Sequence, residues 1–130
     1  MKNECEPRDP KRWILKIVGM THQIDPGLVA GVELPTLVLS NETSTFVVRF
    51  HDVSKSDLVN QLLELRNGTR NVDVNFIDVA GEVTDVWQFG NSSVVQVFFD
   101  DLNYDSDRDR TRYVYAKFQF PTADFKVTVK

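Results

Sequence analysis

The chain has 130 residues, 42% of them hydrophobic and 11% aromatic, enough for one domain that buries a single core. Fifteen basic residues face nineteen acidic ones, a net charge of −4, so no basic excess exists to grip nucleic acid or an anionic membrane. One cysteine, Cys5, rules out an internal disulfide, and no apolar run approaches the eighteen residues that would mark a membrane span or a signal peptide, so a protein made in the cytoplasm is expected.

Residues 1–11 are charged, contain Pro7 and Pro10 and show no apolar period, which predicts a flexible N-terminal arm ahead of a single β domain at 12–130. Trp13 to Val18 alternates as a first strand closed by Gly19. Asp25-Pro26-Gly27 predicts a turn in which Pro presets φ and Gly supplies the reversal. Val29 to Val32 and Leu37 to Leu39 read as strand pieces interrupted by Pro35, which cannot donate to a ladder and so points to an edge or a bend. Asn41-Glu42-Thr43 then predicts the hairpin loop into Thr45 to Phe50.

One helix is expected, over Ser54 to Arg66. Ser54 and Asp57 have the spacing of a capping box, Leu58, Leu62 and Leu65 recur on one face, and Asn67-Gly68 suits a left-handed stop. Four strands follow, Val72 to Val79, Val83 to Phe89, Val94 to Phe99 and Thr111 to Phe120, linked by short turns at Gly81 and at Gly90-Asn91-Ser92 and by a charged loop from Asp100 to Arg110. Alternation in Phe125, Val127 and Val129 predicts a last strand. The expected architecture is mainly β, an antiparallel sandwich or barrel with one packed helix at about 54–66.

Chemistry-bearing residues are sparse. His22 and His51 lie in different segments without metal-ligand spacing, and Cys5 has no histidine near it in sequence to act as a base. Asp101, Asn103, Asp105, Asp107 and Asp109 alternate as calcium ligands can, but an EF-hand's glycine is replaced by Ser106 and its bidentate glutamate by Arg112. Asp73, Asp78, Glu82 and Asp85 gather near one hairpin, where outward-facing carboxylates are the plainer reading than acid–base catalysis. The sequons at Asn41, Asn67 and Asn91 read as polar turn residues. No catalytic, cofactor or metal residue is assigned, and no enzyme is expected.

The anomaly is a strand apolar on both sides. In Val94 to Phe99, strict alternation puts Val95, Val97 and Phe99 on one face and Val94 and Phe98 on the other around Gln96. Either a two-sheet sandwich buries both faces, or one of them meets a neighbouring subunit, a contact that open strand edges also invite.

Three stretches carry a resemblance. Trp13 to Gly19 (WILKIVG) with Val29 to Pro35 (VAGVELP), then Phe46 to Arg66, then Val74 to Val83 (VNFIDVAGEV) with Trp87, Gly90 and Val97 to Asp107 (VFFDDLNYDSD) resemble the tail tube proteins of contractile-tailed, T-even-like bacteriophages, relatives of pyocin and type VI secretion tubes. The resemblance spans Trp13 to Phe120. It implies a virion structural protein, made in the host cytoplasm, whose subunits form stacked homohexameric rings around a channel for DNA ejection. Its partners would be sheath, baseplate and tube-end proteins, with DNA passing unbound and no membrane contact. A lumen of net negative charge would repel phosphate. The residues from Met20 to Gly31 and the acidic turn would be candidates for ring-to-ring or sheath contact. Asn103 stands where that pattern often has an acid and the chain is short, which leaves open a tube-initiating baseplate or tail-end ring of the same fold. A monomeric binding module that uses the acidic loop for calcium is the reading from another class.

Overall fold

The structure, a computed structural model, describes residues 7–104 and 111–130. Its organising element is one strand of seventeen residues, β5 (Val83–Phe99), which belongs to two sheets. The first half of β5 lies between β4 (Arg70–Ile77) and β7 (Phe125–Val129), and β4 in turn pairs with β1 (Trp13–Ile17). The second half pairs with β6 (Tyr113–Pro121), followed outward by β3 (Thr43–His51) and β2 (Val29–Glu33). Every pairing is antiparallel, so two four-stranded sheets share β5 as a corner.

Two separate strands with a turn at Gly90-Asn91-Ser92 were expected here; the chain instead runs straight through. The turn-forming residues do their local work without reversing direction. Asn91 takes a left-handed φ of 56°, the Ser92 hydroxyl donates to the Phe89 carbonyl at 2.9 Å, and the β4 register skips a residue opposite them. A bulge of this kind bends a strand from one sheet to another. Gly90 is required because a Cβ there would sit 3.0 Å from the Asp124 carbonyl oxygen.

The space between the sheets is filled by alternation. In β3, Ser44, Phe46, Val48 and Phe50 point inward, and in β6, Val114, Ala116, Phe118 and Phe120 do. Phe46 lies parallel to Phe118 with ring centroids 5.0 Å apart and meets Phe89 at 4.5 Å. The first sheet contributes Leu15, Ile17, Val72, Val74 and Phe89 to the same core. This is the mainly β sandwich with one packed helix that the sequence predicts.

That helix, α1 (Leu58–Glu64), is shorter than the expected Ser54 to Arg66. Lys55 sits at φ 59°, in the left-handed region, so a right-handed helix cannot pass through it and Ser54 cannot cap. Asp57 takes the N-cap position without a capping bond, its carboxylate accepting from the Asn60 side-chain amide at 2.8 Å; the Ser56 hydroxyl instead accepts from the Leu58 N–H at 3.2 Å. Leu58, Leu62 and Leu65 are buried as their spacing predicts, and Gly68, at φ 80°, makes the left-handed stop. The Leu65 carbonyl accepts from the Val94 N–H at 3.2 Å, which moors the end of the helix against β5.

Of three smaller expectations two fail, and the turn at Asp25-Pro26-Gly27 forms by other means than a positive φ. Leu37 to Leu39 forms no strand: β2 ends at Glu33, just before Leu34-Pro35, and residues 34–42 form an open connection in place of a tight loop at Asn41-Glu42-Thr43. Pro35 has no N–H for a ladder, and the residue before it is restricted as well. Asp25-Pro26-Gly27 turns as a short 3₁₀ segment, with the Asp25 carboxylate accepting the Gly27 N–H at 2.9 Å, so Gly27 needs no positive φ. Third, β5 has a bulge at Val95, which resets the alternation: Val94, Val97 and Phe99 share rows with inward Phe118, Ala116 and Val114, while Gln96 and Phe98 face out with Lys117 and Tyr115.

Candidate assembly surface

The outer face of the β5–β6–β3–β2 sheet is built in rows. Gln96, Lys117, Val47 and Glu33 form one, and Phe98, Tyr115, Arg49 and Gly31 form another. Phe98 stacks on Tyr115 with centroids 4.7 Å apart and planes 3° apart, and Tyr115 leads to Tyr113, which meets His51 at 5.7 Å. The Arg49 guanidinium lies 4.8 Å from the Tyr113 ring centroid and against Gly31, where a Cβ would come within 3.0 Å of Nη2. A residue without a side chain is what lets the guanidinium lie flat on the sheet. The charged side chains in these two rows are Arg49 and Lys117 against Glu33, so these rows carry no excess of acid.

One end of the sheet is pinned by Asp100. Its carboxylate accepts the Tyr113 N–H at 2.9 Å and the Tyr115 hydroxyl at 3.0 Å. Burial, with this bond and the nearby carboxylate charge adding to it, raises the Tyr115 pKa above the usual phenol value. Arg112 donates to the carbonyls of Asp100 and Asp101 at 2.7 Å each and pairs with Asp52 at 3.1 Å. The chain at Asp100-Asp101 and at Arg112 is thereby held together, with Leu102 and Tyr104 exposed beyond it.

Among the described residues, both lateral edges of this sheet are unpaired: β2 has β3 on one side and no strand on the other, and β5 from Ser93 onward has β6 alone. Since α1 satisfies the N–H of Val94, the free edge of β5 runs from Val95 to Phe99. Val95 and Phe99 are each 52% exposed. The apolar strand that sequence alone left between a buried and a subunit-facing reading is divided in the single chain: Val94 is buried and Val97 packs partly against the core, while Val95 and Phe99 are open to solvent. On the other side, β2 peels away from β3 after Glu33 and leaves an open groove of about 410 Å³, lined by residues that include Leu34, Pro35, Thr45, Phe46, Val47 and Lys117. Each edge has one bulge, at Ala30 and at Val95, a feature that restricts indiscriminate strand pairing.

The residues considered for chemistry are dispersed. His51 sits in the aromatic row, while His22 lies on the loop whose carbonyls meet Gln61. Asp78 accepts the N–H groups of Ala80 and Glu82 and shapes the hairpin around Gly81, at φ 84°. Asp85 pairs with Arg8 at 2.6 Å, and Arg8 also lies over Phe76 and Trp87 at 4.8 and 5.4 Å. Asp73 has one buried oxygen without a partner among the described residues. Among the described residues no group of histidine, cysteine or carboxylate side chains is placed to hold a metal. Cys5 and three of the alternating acids, Asp105, Asp107 and Asp109, lie outside the described residues. No described helix is long and apolar enough to cross a membrane. The Arg8 and Arg49 contacts had no signal in the sequence, because both join residues distant in the chain.

No protein-family model matches the sequence, and no curated protein does. Solved structures match in shape. A chain of the anti-feeding prophage cap, the tube-terminating cap, superposes with a TM-score of 0.73 at 7% identity, covering 100% of this chain and 96% of that one. A chain of the sheath/tube terminator of an extracellular contractile injection system (PVC) gives 0.67 at 11% identity, covering 98% and 100%. A chain of the sheath–tube complex of an extracellular contractile injection system (PVC) gives 0.66 at 11% identity, covering 95% and 93%. At these identities the likeness is one of fold: the chain has the tail-tube fold that the sequence resemblance implied.

Proposed function

We propose that this chain is a non-catalytic ring subunit of a contractile, phage-tail-like injection assembly, and that its ring closes the end of the tube. The observation that carries the ring is the β5–β6–β3–β2 sheet. It has an even number of antiparallel strands, so its two free edges run in opposite directions, and the β5 edge of one copy is antiparallel to the β2 edge of the next. The two edges are different surfaces. Joined head to tail they make a heterologous interface, which closes into a ring when the rotation allows. Six copies contributing four strands each would give a closed sheet of roughly 115 Å circumference at the usual strand spacing. The core would lie outside that barrel, and the outward side chains of Arg49, Tyr113, Tyr115 and Lys117 would line the lumen.

Two likenesses in fold, to a tube-terminating cap and to a sheath/tube terminator, support the end position over the repeating tube. The chain from a sheath–tube complex, slightly lower in TM-score, supports the second reading, a subunit of the tube itself. In either position the contacts along the axis would be with tube, sheath or baseplate subunits. A lumen that presents Arg49 and Lys117 against Glu33 would not repel phosphate as a negative one does, so free passage of DNA finds no support in the charge of this face.

Native mass spectrometry and negative-stain microscopy of the concentrated protein test the proposal. Sixfold rings that do not stack are expected of an end ring. Rods would move the chain to the tube itself, and a persistent monomer with no edge-to-edge association would sink the ring.

A further inference from the structure

We infer the register of the joint between neighbouring copies: the free edge of β5 lies along β2 over their full lengths, with Val95 of one copy seated at the mouth of the groove beside β3 of the next. The inference rests on the ring reading and adds to it which residues meet. The free edge of β5 is short, Val95 to Phe99, because the α1 terminus occupies the position at Val94. β2 is five residues long, Val29–Glu33. Two edges this short keep a useful ladder only if they overlap end to end, since a slip of even two residues would remove nearly half of the backbone bonds.

Full antiparallel overlap, with bulged Ala30 and Val95 left out of the ladder, sets Phe99 beside Val29, Phe98 beside Gly31 and Gln96 beside Glu33, so that Val95 lies just past the point where β2 stops and the groove opens. Three features then fit. Val95 is a bulged, half-exposed apolar side chain, and the mouth of the groove offers Leu34, Pro35 and Val47. Phe98 comes opposite Gly31, where the absence of a side chain leaves the sheet face free for the Arg49 guanidinium and an aromatic neighbour. Phe99, exposed in the single chain, comes against half-buried Val29 at the inward face. A slip by one residue would set the inward Phe99 beside an outward residue of β2, which the shared pleat of paired strands forbids.

Disulfide trapping tests the register. In a Cys5→Ser background, one protein carries Val95→Cys with Leu34→Cys, and a second carries Val95→Cys with Gly31→Cys as the slipped pairing. Under mild oxidation the first is expected to give a ladder of linked species ending at the closed ring, and the second only monomer. Linking in the second protein alone, or rings by native mass spectrometry with no link in the first, would overturn the register while leaving the ring. Absence of both links and of any oligomer would overturn the two together.

Discussion

Phe46 touches Phe89, Phe118 and Phe120 and is almost fully buried, so it joins three strands through one ring. Phe46→Ala is expected to cost about 3–5 kcal/mol in urea unfolding, and Phe46→Leu less than about 2, because it leaves a smaller void. Tyr115 acts through its proton. Its pKa is raised in the folded chain by burial and by Asp100, so the native state keeps the proton at a pH where the unfolded chain loses it. Stability from this source is complete below the unfolded phenol value, about 10, and falls as pH rises through the folded one. The melting temperature of the native chain is therefore expected to drop more steeply above about pH 10 than that of Tyr115→Phe; equal slopes would refute the coupling. The inward side of Phe46 was legible from the alternation of Thr45 to Phe50. The Asp100–Tyr115 bond was not, since its ends lie fifteen positions apart in the chain.

At the scale of elements, strands were read well where they alternate and poorly where the backbone bends within one. Gly90, Asn91 and Ser92 have the composition of a hairpin turn, and a bulge that passes a strand between sheets needs the same positive φ and small side chains. Composition does not separate the two; the partner strand does, and here Asp124 closes on Gly90 from the β6–β7 connection. Gly90→Ala is accordingly expected to destabilise the fold by about 1–3 kcal/mol through overpacking, measured by chemical unfolding. The helix start was misplaced for a related reason. Ser54 and Asp57 fit a capping box, but Lys55 in the left-handed region moves the start to Leu58. Ser54→Ala should thus change stability by less than about 0.5 kcal/mol, whereas Ser56→Ala, which loses the bond to Leu58, should cost up to about 1. The reverse order would restore the longer helix.

For the whole molecule, the same short edges that keep a single chain from indiscriminate pairing would make its assembly directional. The first sheet also has free edges, at β1 and β7, with Val129 75% exposed, so exposure alone does not say which sheet closes the ring. Strand count does not decide it either, since both sheets have four strands; the choice follows from what borders the edges: β2 ends at an open groove that can take the exposed Val95, whereas β7 runs beside the end of β5 where Arg8 pairs with Asp85 at the aromatic end of the sandwich. A charge on the correct edge should abolish assembly without touching the fold. Val95→Lys is expected to leave the monomer's stability within about 0.5 kcal/mol of the native value, since the side chain is already half in water, and to remove the rings from negative-stain fields at concentrations where the native chain forms them. Val129→Lys, an equal charge on the β7 edge, should leave those rings in place. If Val129→Lys dissolves the rings and Val95→Lys does not, the other sheet is the wall of the tube, and the aromatic row of Phe98, Tyr115 and Tyr113 faces outward to whatever surrounds it.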